Sequence, residues 1–284
     1  MPLPTLLKAG LFFALLLFSA ETAAQKFAII GDYGNNSWAS RRTANLVKSW
    51  DPEFIITLGD NNYYRGEART IDRNIGKHYH HYSSPYNGRY GKGADTTRFF
   101  PSIGNHDIYN PADLSYFNYF TLPGNERYYD FHWQNVHFFV LNSNPTEPDG
   151  TSPDSGQGIW LKEKLAQSAA PWKVVYFHHP PYSSGGHGGN TWMQWPFQEW
   201  GATVVLSGHD HLYERIEQNQ MVYLINGLGG AKIYPMATEP EPGSQVRYNQ
   251  RFGAMRAEAT PQKLVFEFVN TRRQTIDRVE FLQP

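Results

Sequence analysis

The sequence contains no cysteine. Disulfide staples and thiolate metal ligands are therefore excluded, and any metal site has to be built from histidine, aspartate, asparagine and tyrosine, a donor set that suits hard or borderline ions. A surplus of positive charge is missing too. Charged residues make up 18% of the chain and the formal net charge is -1, so neither a nucleic-acid backbone nor an anionic membrane is expected as a partner. Affinity for an anion such as phosphate must then be local. No apolar run reaches the ~20 residues needed to span a bilayer. The run from Leu11 to Phe18 follows Lys8 and precedes small residues at Thr22, Ala23 and Ala24. That pattern predicts a signal peptide over residues 1–24, cleavage before Gln25, and a secreted or periplasmic mature protein with no membrane anchor.

What is present is apolar and aromatic. With 284 residues, 40% of them hydrophobic and 15% aromatic, the chain can bury a sizeable core, and a single domain is expected over residues 25–284. Short apolar stretches end abruptly in polar, glycine-containing turns. Lys26 to Ile30, Phe54 to Leu58, Phe99 to Ile103, Val136 to Leu141, Val174 to Phe177 and Val204 to Leu206 read as buried strands. Ser37 to Trp50, Leu161 to Gln167 and Thr191 to Trp200 have mixed faces and read as helices. Met221 to Asn226, Arg251 to Ala257, Leu264 to Asn270 and Ile276 to Phe281 read as antiparallel strands separated by turns. The expected class is α/β, with two mixed sheets packed as a sandwich and helices outside. Asn142 to Gly158, with three prolines, three glycines and the acids Glu147, Asp149 and Asp154, reads as a surface loop of the kind that covers a site.

The chemistry lies where the strands stop. Past successive strand candidates stand Asp32, then Asp60, then Asn105 with His106, then His178 with His179, then His209 and His211. In sheets fed by βα units the strand ends converge on one rim, so separate turns can deliver oxygen and nitrogen donors to one point. Taken singly, Asp32 fits a helix cap or a turn, and Asp60 fits a turn. His209 and His211, two apart on an extended segment, point the same way and read as ligands. His178 and His179 are adjacent and should point apart, so at most one is expected to ligate, leaving His179 to pack or to support. The tract with His78, His80 and His81 reads as solvated surface, and His132 and His137 as structural or surface residues.

In this order, Gly31-Asp32-Tyr33-Gly34, Gly59-Asp60-Asn61-Asn62-Tyr63, Gly104-Asn105-His106-Asp107, Val174 to His178 and Gly208-His209-Asp210-His211 resemble the five-block signature of the calcineurin-like metallophosphoesterases. Tyr63 narrows the resemblance to the purple acid phosphatases, in their short, tartrate-resistant form, and Leu212-Tyr213-Glu214-Arg215 extends it. The resemblance implies a four-layer αββα metallophosphatase fold. It implies two metal ions: one, Fe(III), on Asp32, Tyr63 and His211, and a second, Fe(II), Zn(II) or Mn(II), on Asn105, His178 and His209, with Asp60 bridging. The implied reaction is in-line attack of a metal-bound hydroxide on a small phosphate monoester, releasing inorganic phosphate, with His106 as proton donor, His187 on the substrate side and Asp107 orienting His106. Two readings stay open for single residues: Tyr63 could pack in the core, and His187 could sit in a plain glycine-rich loop. A phosphodiesterase with divalent metals, or an iron-dependent redox or phosphate-binding protein, are the functional alternatives.

Overall fold

In the computed structural model, which describes residues 24–110 and 113–283, the predicted signal peptide lies outside the described residues apart from Ala24. The strands are β1 (Gln25–Ile30), β2 (Phe54–Thr57), β3 (Phe99–Pro101), β4 (Tyr129–Trp133), β5 (Val136–Val140), β6 (Trp172–Tyr176), β7 (Val204–Ser207), β8 (Tyr213–Gln218), β9 (Met221–Asn226), β10 (Ser244–Tyr248), β11 (Gly253–Ala259), β12 (Lys263–Asn270) and β13 (Thr275–Leu282). They form two sheets, ordered β13-β12-β11-β1-β2-β3 and β10-β8-β9-β7-β6-β5-β4. Both are mixed. β1, β2 and β3 run parallel, as do β5, β6, β7 and β9, while the flanking strands pair antiparallel.

Strand periodicity divides the side chains between two cores. Val136, Phe138 and Val140 of β5, Val174 and Tyr176 of β6, and Val204 and Leu206 of β7 enter the core between the sheets. The intervening Phe139, Val175 and Val205 pack on the outer face, with Leu161 and Leu165 of helix α2 (Gly156–Gln167). Phe138 meets Phe27 edge-on at 5.2 Å and Phe54 at 5.4 Å, joining β5 to β1 and β2 across the sandwich. Helix α1 (Trp38–Lys48) contributes Ala44 and Val47 to the core that includes β1 and β11, and its first turn is capped by Ser37 Oγ, which accepts from the Ser40 amide at 3.0 Å. The observed architecture is thus the expected pair of mixed sheets with flanking helices. Among the described residues no helix is long and apolar enough to cross a membrane.

Several expectations need correction. Thr191 to Trp200 is not a helix: one 3₁₀ turn, Thr191–Met193, is followed by turns, because Pro196 lacks an amide hydrogen and disfavours helical geometry at Trp195. The segment from Asn142 is not merely a surface loop. Asn142, Ser143, Asn144 and Glu147 are buried, and its end is already helix from Gly156. Its acids are tied down elsewhere, with Asp149 taking Arg127 at 2.5 Å and the Tyr128 hydroxyl at 2.9 Å, and Asp154 taking the Ser152 hydroxyl. His78 and His80 are buried within a helical run over residues 68–82, and only His81 of that tract is exposed. Strands β4, β8 and β10 went unread because their burial is polar or partial; Glu214 in β8 is fully buried yet accepts from Ser184 and Ser244.

Phe138→Ala should lower stability by about 3–5 kcal/mol, read from the urea midpoint at unchanged slope; a loss below about 1 kcal/mol would mean the sheets do not meet at Phe138. Burial, then Lys48, lowers His78 from 6.5 to about 4, and its Nε2 has no partner. The unfolded chain therefore takes up the proton first, so the folded state loses up to about 1.4 kcal/mol per pH unit as pH falls below 6.5 toward 4. Stability of His78→Leu across that window should be visibly flatter than wild type.

Candidate metal centre

The predicted donors follow strand ends, and three of them stand on backbone that few residues tolerate. Asp32, Asp60 and His209 adopt left-handed φ values of 55, 53 and 68°, and Gly59 beside Asp60 has φ 86°. Such conformations cost of order 1–3 kcal/mol each for non-glycine residues and persist where the surroundings over-determine them. Here the determinants are visible. The Asp60 turn receives a buried strut from Asp107, whose carboxylate accepts from the Asn61 and Asn62 amides at 2.9 Å and from the Gly104 amide at 2.8 Å. A side chain at Gly104 would strike Asp60, and one at Gly59 would strike the His178 ring, so both turns need glycine to close in.

The side chains converge as two contiguous clusters. Tyr63 Oη lies 3.1 Å from Asp32 Oδ1 and 3.1 Å from His211 Nε2, which is itself 3.2 Å from Asp32 Oδ1. His178 Nε2 lies 3.0 Å from Asn105 Oδ1, 3.4 Å from Asp60 Oδ1 and 3.2 Å from His209 Nδ1. Asp60 joins the two, since oxygens of Asp32 and Asp60 and a nitrogen of His178 lie within 4.8 Å of one another. His178 Nδ1 faces the Leu58 carbonyl and His211 Nδ1 the Lys232 carbonyl, so each gives that hydrogen away and turns the Nε2 lone pair inward.

The arrangement is short of hydrogens. His178 Nε2 faces two further acceptors, Asn105 Oδ1 and Asp60 Oδ1, the latter served by the His106 amide at 3.0 Å, and Asp32 Oδ1 and His211 Nε2 share the single hydrogen of Tyr63. Among the described residues neither Asp32 nor Asp60 pairs with lysine or arginine, although both are buried. Titration directions express the same deficit. Burial is the largest influence on His178 and His211 and works against protonating them, yet the Asp60 and Asp32 carboxylates together with the carbonyls of Leu58 and Lys232 outweigh it, and both are raised. Burial would raise Asp32, but His211 holds it below the usual carboxylate range. Burial and then His178 push His209 far down, which keeps its imidazole neutral. Burial, reinforced by Asp32 and Asp60, holds the Tyr63 phenol well above its ordinary value. Cations at the two clusters fit this donor set and remove the deficit.

Around the clusters the structure rearranges some predicted roles. His106 is partly exposed, with Nδ1 2.7 Å from the Tyr64 carbonyl and Nε2 4.0 Å from Asp60 Oδ2. Asp107 does not orient the His106 ring. Its carboxylate is committed to backbone amides and to Asn61 Nδ2, and burial with the Asp60 charge pushes it up to about 6 despite those donors. His187 is exposed, and its ring lies 4.4 Å from that of His209. Its loop is pinned by Asp210, which accepts from the His187 amide at 3.0 Å and the Ser183 hydroxyl at 2.6 Å. His179 does not point away: beyond β6 the ladder has ended, alternation no longer applies, and its ring lies 4.5 Å from His209. Sequence reasoning missed Asp210, and also Tyr234, which stacks on His211 at 4.2 Å. Asp210 lay inside a quoted motif; nothing around Tyr234 in the sequence marks it.

Comparison with known proteins agrees with this geometry. The sequence aligns with purple acid phosphatase 17 of Arabidopsis thaliana, 24% identical over 257 residues, covering 76% of this chain and 72% of that one. It aligns likewise with tartrate-resistant acid phosphatase type 5 of Oryctolagus cuniculus, 25% identical over 255 residues, covering 76% and 77%. In fold it resembles the solved purple acid phosphatase PPD1 of yellow lupin (Lupinus luteus), with a TM-score of 0.75 at 16% identity over 92% of this chain and 54% of that one. The relatives imply a dinuclear metal centre, for which the residues above are the candidates. The sequence profile described as calcineurin-like phosphoesterase matches residues 25–213, more than half of the sequence, and on that ground the chain belongs to the calcineurin-like phosphoesterase family and is a phosphoric ester hydrolase.

Proposed function

We propose that the chain is an exported acid phosphatase that hydrolyses phosphate monoesters at a mixed-charge metal pair, with iron(III) beside Tyr63 and iron(II), zinc(II) or manganese(II) at the second position. Asp32, Tyr63 and His211 would hold the first ion, Asn105, His178 and His209 the second, and Asp60 would be shared. The phenol carries this reading: Tyr63 Oη, 3.1 Å from both Asp32 and His211, puts a hard, anionic-capable donor where a trivalent ion is best stabilised. Bound there, the ions would neutralise a phosphoryl group and make hydroxide available at acidic pH. Export is supported by the sequence of residues 1–24.

The chain's own residues supply the remainder. His106, with Nδ1 fixed by the Tyr64 carbonyl, keeps Nε2 at the open side of Asp60, where it can protonate a departing alkoxide. His187, over the His209 ring at the mouth, can hydrogen-bond a phosphoryl oxygen. The buried amide contacts of Asp107 hold the Asp60 and Asn105 turns at fixed separation. A phosphodiesterase using divalent ions is the second reading. It is favoured by the Tyr63 hydroxyl's 3.1 Å contact with Asp32, in which a neutral phenol donates and no trivalent neighbour is required.

Metal analysis, a visible spectrum and comparison of a phosphate monoester with the matching diester separate the two. Two metals per chain, a broad visible band lost in Tyr63→Phe and preference for the monoester are expected; a colourless divalent protein that prefers the diester would reverse the assignment. His106→Ala should slow hydrolysis of an alkyl phosphate by about 10²–10⁴-fold, and that of an aryl phosphate with an acidic leaving group much less. Equal losses on both would remove His106 from the proton-donor role.

A further inference from the structure

One imidazole of the cluster is not accounted for by that assignment. Ring nitrogens of His178, His179 and His209 come within 4.8 Å of one another, so by position alone His179 could pass for a third ligand. Its hydrogen bonds say otherwise. Ser143, fully buried, sits with Oγ 2.9 Å from the His179 backbone nitrogen and 2.9 Å from His179 Nδ1. The backbone N–H can only donate, so it occupies one lone pair of Oγ. The one hydroxyl hydrogen then needs an acceptor, and among the described contacts of Oγ the only one is His179 Nδ1. Were Nδ1 to carry hydrogen instead, Oγ would receive two donors and bury an unsatisfied O–H, at the penalty attached to any such group. A neutral imidazole that accepts at Nδ1 bears its hydrogen at Nε2, and a protonated nitrogen cannot ligate a metal.

Trp192 backs this pair. The Trp192 indole donates to the Ser143 carbonyl at 3.0 Å, and its ring lies 5.9 Å from that of His179. With Nδ1 engaged in the wall, Nε2 is the ring nitrogen left for the side occupied by His178 and His209, whose rings lie 4.9 and 4.5 Å away.

Building on the phosphoesterase reading above, we propose that His179 is a phosphate-binding residue, set by Ser143 as an Nε2–H donor to a phosphoryl oxygen at the metal pair, and not a metal ligand. Together with His187 across His209 it would grip the phosphoryl group from the chain segment that follows β6, whereas His106 serves the leaving group from the segment that follows β3. Ser143 is then a positioning residue, acting only through the tautomer it imposes.

The test measures metal content and inhibition by inorganic phosphate in wild type, His179→Phe, His179→Gln and Ser143→Ala, and determines the His179 tautomer by nitrogen-15 NMR of the metal-free protein. Expected are two metals per chain throughout, phosphate inhibition weakened about tenfold or more in His179→Phe and less in His179→Gln, and an Nε2–H tautomer that becomes mixed in Ser143→Ala. Loss of one metal equivalent in the His179 variants, unchanged phosphate inhibition, or an Nδ1–H tautomer in the wild type would each overturn it. A wild type that binds no metal would sink the functional reading, while the tautomer still decides the assignment of His179.

Discussion

Two carboxylates, Asp32 and Asp60, lie buried side by side with no lysine or arginine among the described residues to answer them, and much of the surrounding architecture serves that unfavourable placement. Like charges so close, away from water, are tolerated only with cations or protons between them. The protein supplies imidazoles, an amide oxygen and a phenol around the pair, groups that in their neutral forms balance no charge. His178 and His211 feel this imbalance directly, since the carboxylates raise both against burial. Ions bound here would link the chain's stability to their uptake.

Holding the pair in place requires backbone that would relax if released. Asp32, Asp60 and His209 stand in left-handed conformations, and the restraints come from beneath: Asp107 on the amides of Asn61 and Asn62, Asn61 on Tyr33 and Thr57, and Asp32 on the His209 amide at 3.0 Å. That last contact links the ends of β1 and β7, strands of different sheets. The site thus forms where the two sheets are joined, and the aromatic packing of Phe27, Phe54 and Phe138 fixes the distance it spans.

The donors were legible in the sequence because each interrupts an apolar strand with a polar turn, a contrast visible without any tertiary knowledge. The two sheets were legible for the same reason wherever burial is apolar, as in Val174 to Phe177. Where burial is polar the signal disappears: Glu214 and Asp210 are as buried as any valine, and their partners lie some 30 and 27 positions away at Ser184 and Ser183. Thr191 to Trp200 misled because an amphipathic pattern outweighed Pro196. His179 misled in another way, since alternation is a property of paired strand, and the chain had already left the ladder. Ser143, which orients it, sits 36 positions earlier in a stretch that looked like featureless loop.

The first strand lies in the interior of its sheet, between β2 and β11, and β11 begins only at Gly253. One edge of the first strand is therefore closed only by residues far along the chain, with Gln25 opposite Ala259 and Ile29 opposite Met255. Asp32, which hangs from that strand, accepts from the His209 amide at 3.0 Å, a second long-range contact at the same strand end. The donor turns thus depend on contacts between residues far apart in the sequence, the kind whose closure cost slows folding.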